Sequence, residues 1–385
     1  MTKKKILIDA SVVTSIPDGL SIYVVNILKH LPAASFEEFD YSLLVKPGFD
    51  PRPDFRAAIE GRPFRIVEAP VAPIGPRRDW TMYRFLKRHA AEYDLIHNTS
   101  NAWPIYMKGG VSTIHDVTFK SWFHNPGGVP GARHLAASYM SMVIRVCLRR
   151  ADRIISVSHS TKEEIRRLFG ATPAQLGKVR VVHEGWEHLD DYKDEEPFER
   201  PEGGYIFFLG SYRVHKNLAR LLEAFELAAP RIPADKKLVI SGSSDKLSGG
   251  LRDRIDRLNA DGERVLFTGY LSNAGVRNHY AHADAFIFPS LAEGFGIPIL
   301  EAFYFETPLL AARTTSIPEV AGEAALYFDP FDAADIADAI VRFYAEPELG
   351  PALVARGRER MQQFSWAKAA AETVDVYREC LAPTA

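Results

Sequence analysis

Cysteine is scarce: only Cys147 and Cys380 occur in 385 residues, far apart and in no metal or redox spacing. That excludes a disulfide framework and a thiolate metal site, and a reduced cytosolic setting is expected. Each lies in an apolar helical pattern, so packing accounts for it. No run of about 18 apolar residues exists, so no membrane span is expected. The opening Met1-Thr2-Lys3-Lys4-Lys5 passes into Ile6-Leu7-Ile8, too short an apolar segment for a signal-peptide core. An excess of one charge is missing too: the formal net charge is −2, which gives no overall attraction to nucleic acid or to an acidic surface. The full Gly-x-Gly-x-x-Gly fingerprint is absent, which argues against a nicotinamide site, and no Asp-x-Asp or low-complexity segment occurs. What remains is an ordinary soluble composition, 46% apolar and 25% charged, with length for two cores.

Short apolar runs alternate with helical spacings along the chain. In the first half, strands are expected at Lys3–Ala10, Tyr41–Lys46, Phe64–Glu68, Asp94–Asn98, Val111–Ile114, Arg153–Val157 and Lys178–His183. Helices are expected at Leu20–Leu31, Trp80–Glu92, Ala132–Arg150 and Ser160–Phe169. The stretch from Glu184 to Gly204 turns acidic and reads as a linker. A second series begins at Tyr205–Gly210, with strands at Lys237–Ser241, Arg264–Thr268, Ala285–Pro289, Pro308–Ala312 and Ala324–Phe328. Helices are expected at Leu218–Ala229, Gly250–Asn259, Ala274–Ala281 and Trp366–Cys380, the last capped by Ser365. The alternation predicts an α/β protein of two Rossmann-like, doubly wound domains. Their expected bounds are 1–185, a linker at 186–203, 204–364, and a C-terminal helix 365–385 packing back on the first domain.

The chemistry concentrates in Ser290-Leu291-Ala292-Glu293-Gly294-Phe295-Gly296-Ile297-Pro298-Ile299-Leu300-Glu301. This reads as strand, glycine turn, helix, with Pro298 near the helix start. Glycines let the backbone approach a ligand, and helix-start N–H groups suit an anion. Glu293 and Glu301 suit hydroxyls, so the stretch fits a sugar nucleotide; a plain turn with solvated glutamates is the alternative. In the loop after Gly210, Lys216 is the first candidate for phosphate and Arg213 the second, with His215 nearby. In the first half, His115-Asp116 follows a strand end, where the acid could fix the ring of a substrate-binding histidine. Gly19 could offer its N–H to a phosphate or an acceptor hydroxyl. Helix Trp80–Glu92, with Arg84, Lys87 and Arg88 and with Arg77 and Arg78 just before it, could lie on an anionic membrane or be only a solvated face.

Taken together these motifs resemble the retaining glycosyltransferases of family 4, of the GT-B fold. The matches are Gly210…Lys216-Asn217, Phe267-Thr268-Gly269-Tyr270, His282-Ala283-Asp284, Pro289-Ser290…Glu293-Gly294-Phe295-Gly296-Ile297-Pro298…Glu301 and Ser316-Ile317-Pro318-Glu319-Val320. Glu293 and Glu301 are separated by seven residues, as in that family's Glu-x7-Glu pattern. Ile114-His115-Asp116, Ser156-Val157-Ser158-His159-Ser160 and the loop ending at Gly19 with Tyr23 beyond are similar more loosely. The resemblance implies two domains facing a central cleft and a hexosyltransferase. It implies that Lys216, aided by Arg213 or His215, neutralises a donor diphosphate beside Gly210. Gly294, Phe295 and Gly296 would present N–H groups, Glu293 would hold a sugar hydroxyl, and Glu301 the ribose. His115 would face the donor sugar, and Gly19 the diphosphate and acceptor. No cofactor and no metal are implied. The expected donor is a nucleotide sugar, GDP-mannose first. The expected acceptor is a lipid-linked or growing oligosaccharide of O-antigen or exopolysaccharide assembly. The expected setting is cytoplasmic, with peripheral contact at the inner face of the membrane. A sugar-nucleotide epimerase or phosphorylase on the same fold, and a two-lobed sugar-binding protein without turnover, are the alternatives.

Overall fold

The computed structural model describes residues 2–14, 18–49, 52–72, 75–119, 132–193, 195–247 and 249–382. The chain divides into two compact units, Met1–Gly185 with Ser365–Ala385, and Trp186–Phe364. In the first, strands β1 (Lys4–Asp9), β2 (Phe39–Val45), β3 (Arg65–Glu68), β4 (Leu95–Asn98), β5 (Val111–Ile114), β6 (Arg153–Ser156) and β7 (Val179–Val181) lie in the order β3-β2-β1-β4-β5-β6-β7. In the second, β8 (Tyr205–Phe208), β9 (Lys237–Ile240), β10 (Val265–Phe267), β11 (Ala285–Phe288), β12 (Leu309–Ala312) and β13 (Ala325–Phe328) lie in the order β10-β9-β8-β11-β12-β13. All neighbouring strands are parallel. Helices cover both faces of such sheets, so their strands read as unbroken apolar runs; Ala285-Phe286-Ile287-Phe288 is wholly buried. Each sheet reverses its order once, between β1 and β4 and between β8 and β11. There the loops leaving the carboxyl ends diverge and leave a crevice. In the second unit those are the loops that carry Gly210–Asn217 and Ser290–Gly296.

The helix Trp366–Leu381 belongs to the first unit. Ser365 caps it by accepting from the Lys368 N–H. Its apolar stripe is buried, with Trp366 against Tyr23 and Tyr377 against Phe39. Tyr377 also ends a buried polar chain. Its hydroxyl lies 2.7 Å from His97 Nδ1, His97 Nε2 lies 2.9 Å from Thr113 Oγ1, and Thr113 Oγ1 lies 3.0 Å from the Tyr23 hydroxyl. Burial pushes the His97 imidazole down to about 3, so it is neutral and bonds on both sides.

Three expectations need amendment. The basic helix spans Pro76–His89, so Arg77 and Arg78 lie inside it. Arg78 faces no solvent: it is buried and paired with Asp9, and it also donates to the carbonyls of Ala72 and Ala102. The acidic stretch after Glu184 lies along the second unit. Trp186 packs on Tyr304, Asp190 accepts from the Tyr304 hydroxyl at 2.7 Å, and Glu196 accepts from Ser272 at 2.6 Å. Helices Ala333–Ala345 and Leu349–Met361 were not foreseen. The second holds Gly350, Pro351 and Gly357, residues that form helix poorly. Gly357 is there because a Cβ would come within 2.7 Å of the Phe303 ring. The cysteines are free; burial lifts both thiols to about 12, in keeping with a packing role.

The Arg78–Asp9 pair generates a stability prediction. Asp9→Leu strands a buried guanidinium and should cost about 3–5 kcal/mol in urea unfolding. The double change Asp9→Leu with Arg78→Met should recover most of that loss. Equal losses in both variants would show that the charge pairing does not matter.

Candidate active site

In the second unit the loop after β8 runs from Gly210 through a single 3₁₀ turn, Val214–Lys216, into the helix Leu218–Ala228. Asn217 makes that junction in the left-handed region, φ 62°. Asparagine tolerates this better than most residues, and here its amide donates to the carbonyls of Pro289 and Pro330 at 3.1 and 2.8 Å. The Leu291 N–H donates to the His215 carbonyl at 2.7 Å. The loops on either side of the strand-order reversal are therefore tied by backbone and amide bonds. That tie delivers Lys216 Nζ to 2.6 Å from Glu293 Oε1, with the two side chains only 17% and 13% exposed. The Lys216 stem lies beside Gly210, where a Cβ would meet Lys216 Cδ at 3.6 Å. Its ammonium sits 5.3 Å from the centroid of the Phe288 ring. The Gly210 N–H donates to Ser241 Oγ at 3.1 Å.

The glycine turn is braced from below. Ser316 Oγ donates to the carbonyls of Glu293 and Phe295 at 3.0 and 2.8 Å, and the Glu293 N–H donates to Thr315 Oγ1 at 3.0 Å. Thr315 itself has φ 45°, a strained turn that aims its hydroxyl at the loop. Gly296 precedes the helix Ile297–Tyr304 with φ 108°, a conformation that favours glycine, and a Cβ there would also crowd Ile299 Cδ1 at 3.0 Å. The Phe295 ring is buried against Phe364, so this residue can serve a ligand only through its backbone. Glu301, one turn into the helix, is buried and accepts from the Tyr280 hydroxyl at 2.9 Å.

The structure thus brings together Gly210, Lys216, Glu293, Gly294, Phe295, Gly296 and Glu301. Arg213 is exposed at the start of the 3₁₀ turn, outside this cluster, and His215 is partly buried. Tyr280 and Thr315 lacked any local sequence signal. The left-handed Asn217 beside a lysine could have been suspected.

The first unit holds the other two candidates. Gly19 opens the helix Gly19–His30 in open space, and Asp18 caps that helix by accepting from the Ser21 N–H at 2.8 Å. A carboxylate therefore already sits at this helix start, and residues 15–17 of the preceding loop lie outside the described residues. His115 stands at the carboxyl end of β5. Its N–H donates to Asn101 Oδ1 at 2.8 Å, its Nε2 lies 3.0 Å from the Thr99 carbonyl, and Tyr23 meets its ring edge-on at 4.6 Å. Asp116 does not fix the ring, contrary to expectation: it accepts from the N–H and hydroxyl of Thr118. The carboxylate facing the ring is Glu184, 3.5 Å from Nδ1.

Two parallel doubly wound units, one with a lysine, two carboxylates and a glycine turn at its strand-order reversal, are an architecture that binds ligands beyond its strand ends. Residues 17–188 match the family "Glycosyltransferase Family 4", and residues 203–346 match "Glycosyl transferases group 1". The chain belongs to this family and is a glycosyltransferase. It is 29% identical over 295 residues to the O-antigen chain mannosyltransferase B of Escherichia coli, covering 74% of each chain. It is 27% identical over 244 residues to the serotype-specific mannosyltransferase WbdA of Escherichia coli, covering 60% of this chain and 29% of that much longer one. The sucrose-phosphate synthase of Thermosynechococcus elongatus superposes with a TM-score of 0.73 at 21% identity, over 99% of this chain and 100% of that one, which shows the GT-B fold.

Burial pushes the Glu301 carboxyl from its ordinary 4.5 up to about 7, and the Tyr280 hydrogen bond and the charge of Lys216 pull it back only in part. The folded chain thus keeps a proton that the unfolded chain releases. This contribution to stability is fully present below the ordinary value and is lost as pH rises towards the folded one. Glu301→Gln should therefore gain on the parent protein between about pH 5 and pH 8, by on the order of 1–3 kcal/mol at the upper end. Urea unfolding at a series of pH values reads it; parallel curves would mean that Glu301 stays ionised throughout.

Proposed function

We propose that this glycosyltransferase moves a hexose, mannose from GDP-mannose in the leading reading, to a lipid-linked or growing oligosaccharide in cell-surface polysaccharide synthesis, with retention at C1. The observation that carries it is the half-enclosed Lys216–Glu293 pair set beside the buried Glu301 and the glycine turn. The two mannosyltransferase relatives support the choice of sugar. As the C1–O bond of a nucleotide sugar breaks, the sugar becomes oxocarbenium-like and negative charge gathers on the leaving diphosphate. Catalysis needs positive charge already in place there. Lys216 supplies it, with N–H groups of the 294–296 turn and Arg213 or His215 as the further cation. A diphosphate draws the ammonium from Glu293, and the carboxylate so released is free to accept a donor-sugar hydroxyl. Glu301 suits the ribose. Attack comes from the face the diphosphate leaves, and the leaving phosphate takes the acceptor's proton. This assignment of charge needs no divalent metal.

A lipid-linked acceptor also fits the helix Pro76–His89. Its exposed face carries Arg77, Trp80, Arg84, Lys87 and Arg88, with Trp80 stacked on Tyr83 and Tyr106 tilted against Tyr83. The one acid of this helix, Asp79, is turned inward to Tyr139 and the Ile105 N–H. Cations interleaved with aromatics suit the headgroup layer of an anionic bilayer. No helix among the described residues is long and apolar enough to cross a membrane.

The function is tested by turnover. GDP-mannose, offered with a mannoside bearing an apolar aglycone, should release GDP in EDTA, and the anomeric proton of the product should show retention. Lys216→Ala should lower kcat by about 10²–10³ with the fold intact. Turnover with a UDP sugar alone would move the donor assignment. No turnover, and no thermal shift with GDP, UDP, dTDP or ADP, would favour a binding protein without turnover. The membrane reading is tested separately. Arg84→Glu with Lys87→Glu and Arg88→Glu should abolish sedimentation with phosphatidylglycerol vesicles; unchanged sedimentation would leave that face merely solvated.

A further inference from the structure

We infer that Glu184 is a positioning residue for His115, holding the imidazole at Nδ1; its catalytic consequence rests on the reading that His115 faces the transferred sugar. The backbone of His115 is fixed on both sides, by the Asn101 side chain at its N–H and by Thr161 Oγ1, which donates to its carbonyl at 3.3 Å. The ring is fixed on three. The Thr99 carbonyl can only accept, so Nε2 carries a hydrogen and donates to it. The Tyr23 ring closes the edge at 4.6 Å. On the third side stands the Glu184 carboxylate, 3.5 Å from Nδ1, with the histidine side chain 11% and the glutamate side chain 5% exposed.

A carboxylate this enclosed is costly unless it meets a donor. A bare Nδ1 would set one lone pair against another, so the arrangement is favourable only with a proton between the two atoms. Both ring nitrogens are then committed to protein groups, Nε2 to the Thr99 carbonyl and Nδ1 to Glu184. Neither is free to take a proton from an attacking hydroxyl. It can only orient and polarise, which agrees with the leaving phosphate acting as the proton acceptor. Glu184 acts through the ring: without it Nδ1 loses its partner, and the ring is held by Thr99 and Tyr23 alone.

The test uses the full chain with ¹⁵N-labelled histidine and reads the ring nitrogens by long-range ¹H–¹⁵N correlation, with His115→Ala assigning the signals. In the parent protein Nε2 of His115 should resonate in the protonated range, and Nδ1 away from the range of a bare ring nitrogen. In Glu184→Gln the Nδ1 signal alone should shift, while Nε2 stays bonded to Thr99. An Nδ1 signal unchanged by Glu184→Gln overturns the proposal, and this readout needs no substrate. In the transfer assay, Glu184→Gln should lower kcat by about 10–100-fold, as loss of an orienting partner does elsewhere, with donor KM within about twofold. In the His115→Ala background the same change should cost nothing further; an equal further loss would show that Glu184 acts independently of the ring. If His115→Ala alone keeps full turnover, the sugar-facing reading of His115 falls, while the nitrogen signals still decide the role of Glu184.

Discussion

A lysine and a glutamate, most of their surface withdrawn from water and 2.6 Å apart, set the terms for the second unit. Neither is stable there alone, since an unpaired charge in a half-dry site is expensive. They arrive on different loops, one leaving β8 and the other β11, neighbouring strands whose connections turn opposite ways. Holding the pair requires holding both loops, and the surrounding bonds do that: Asn217 across to Pro289, Leu291 back to His215, Ser316 under the glycine turn. The result is a charge that is positioned in advance yet can be given up to a stronger competitor. In the proposed reaction a diphosphate would be such a competitor, because it offers two anionic groups where Glu293 offers one.

Most of the scaffold was legible in the chain because a parallel sheet buried on both faces leaves its strands as plain apolar runs. Tyr205-Ile206-Phe207-Phe208 and Ala285-Phe286-Ile287-Phe288 could hardly be read otherwise. Legibility failed where the deciding contact is remote. Gly350, Pro351 and Gly357 are poor helix formers, yet they lie in the helix Leu349–Met361, where Gly357 leaves room for the Phe303 ring. Arg78 reads as one more cation of a basic helix until Asp9, far away in sequence, takes it inside. The site divides in the same way. Glu293, Glu301 and Lys216 stand in recognisable spacings. Glu184 looked like the first acid of a linker, since nothing near it in sequence points to His115.

The first unit shows a different economy of polar groups. Tyr377, His97, Thr113 and Tyr23 form one buried chain in which each member satisfies its neighbour. Tyr23 then lays its ring against His115. Polar interiors of this kind tolerate little change, because a half-satisfied network is worse than none. The geometry around His115 is thus built from the sheet outward, through buried side chains.

The membership of Tyr377 in that chain bears on how the protein is made. The first unit is closed by residues that leave the ribosome only after the whole second unit has been synthesised. At ordinary elongation rates that interval is roughly ten to forty seconds. Throughout it, the surface destined for Trp366, Val374 and Tyr377 is bare, and His97 lacks its phenolic partner. The nascent first unit must wait in an incomplete form, with a sticky apolar groove on show, while its neighbour folds ahead of it. Completion of the first unit is therefore tied to the end of synthesis by the order of the segments, whatever the stability of the finished molecule.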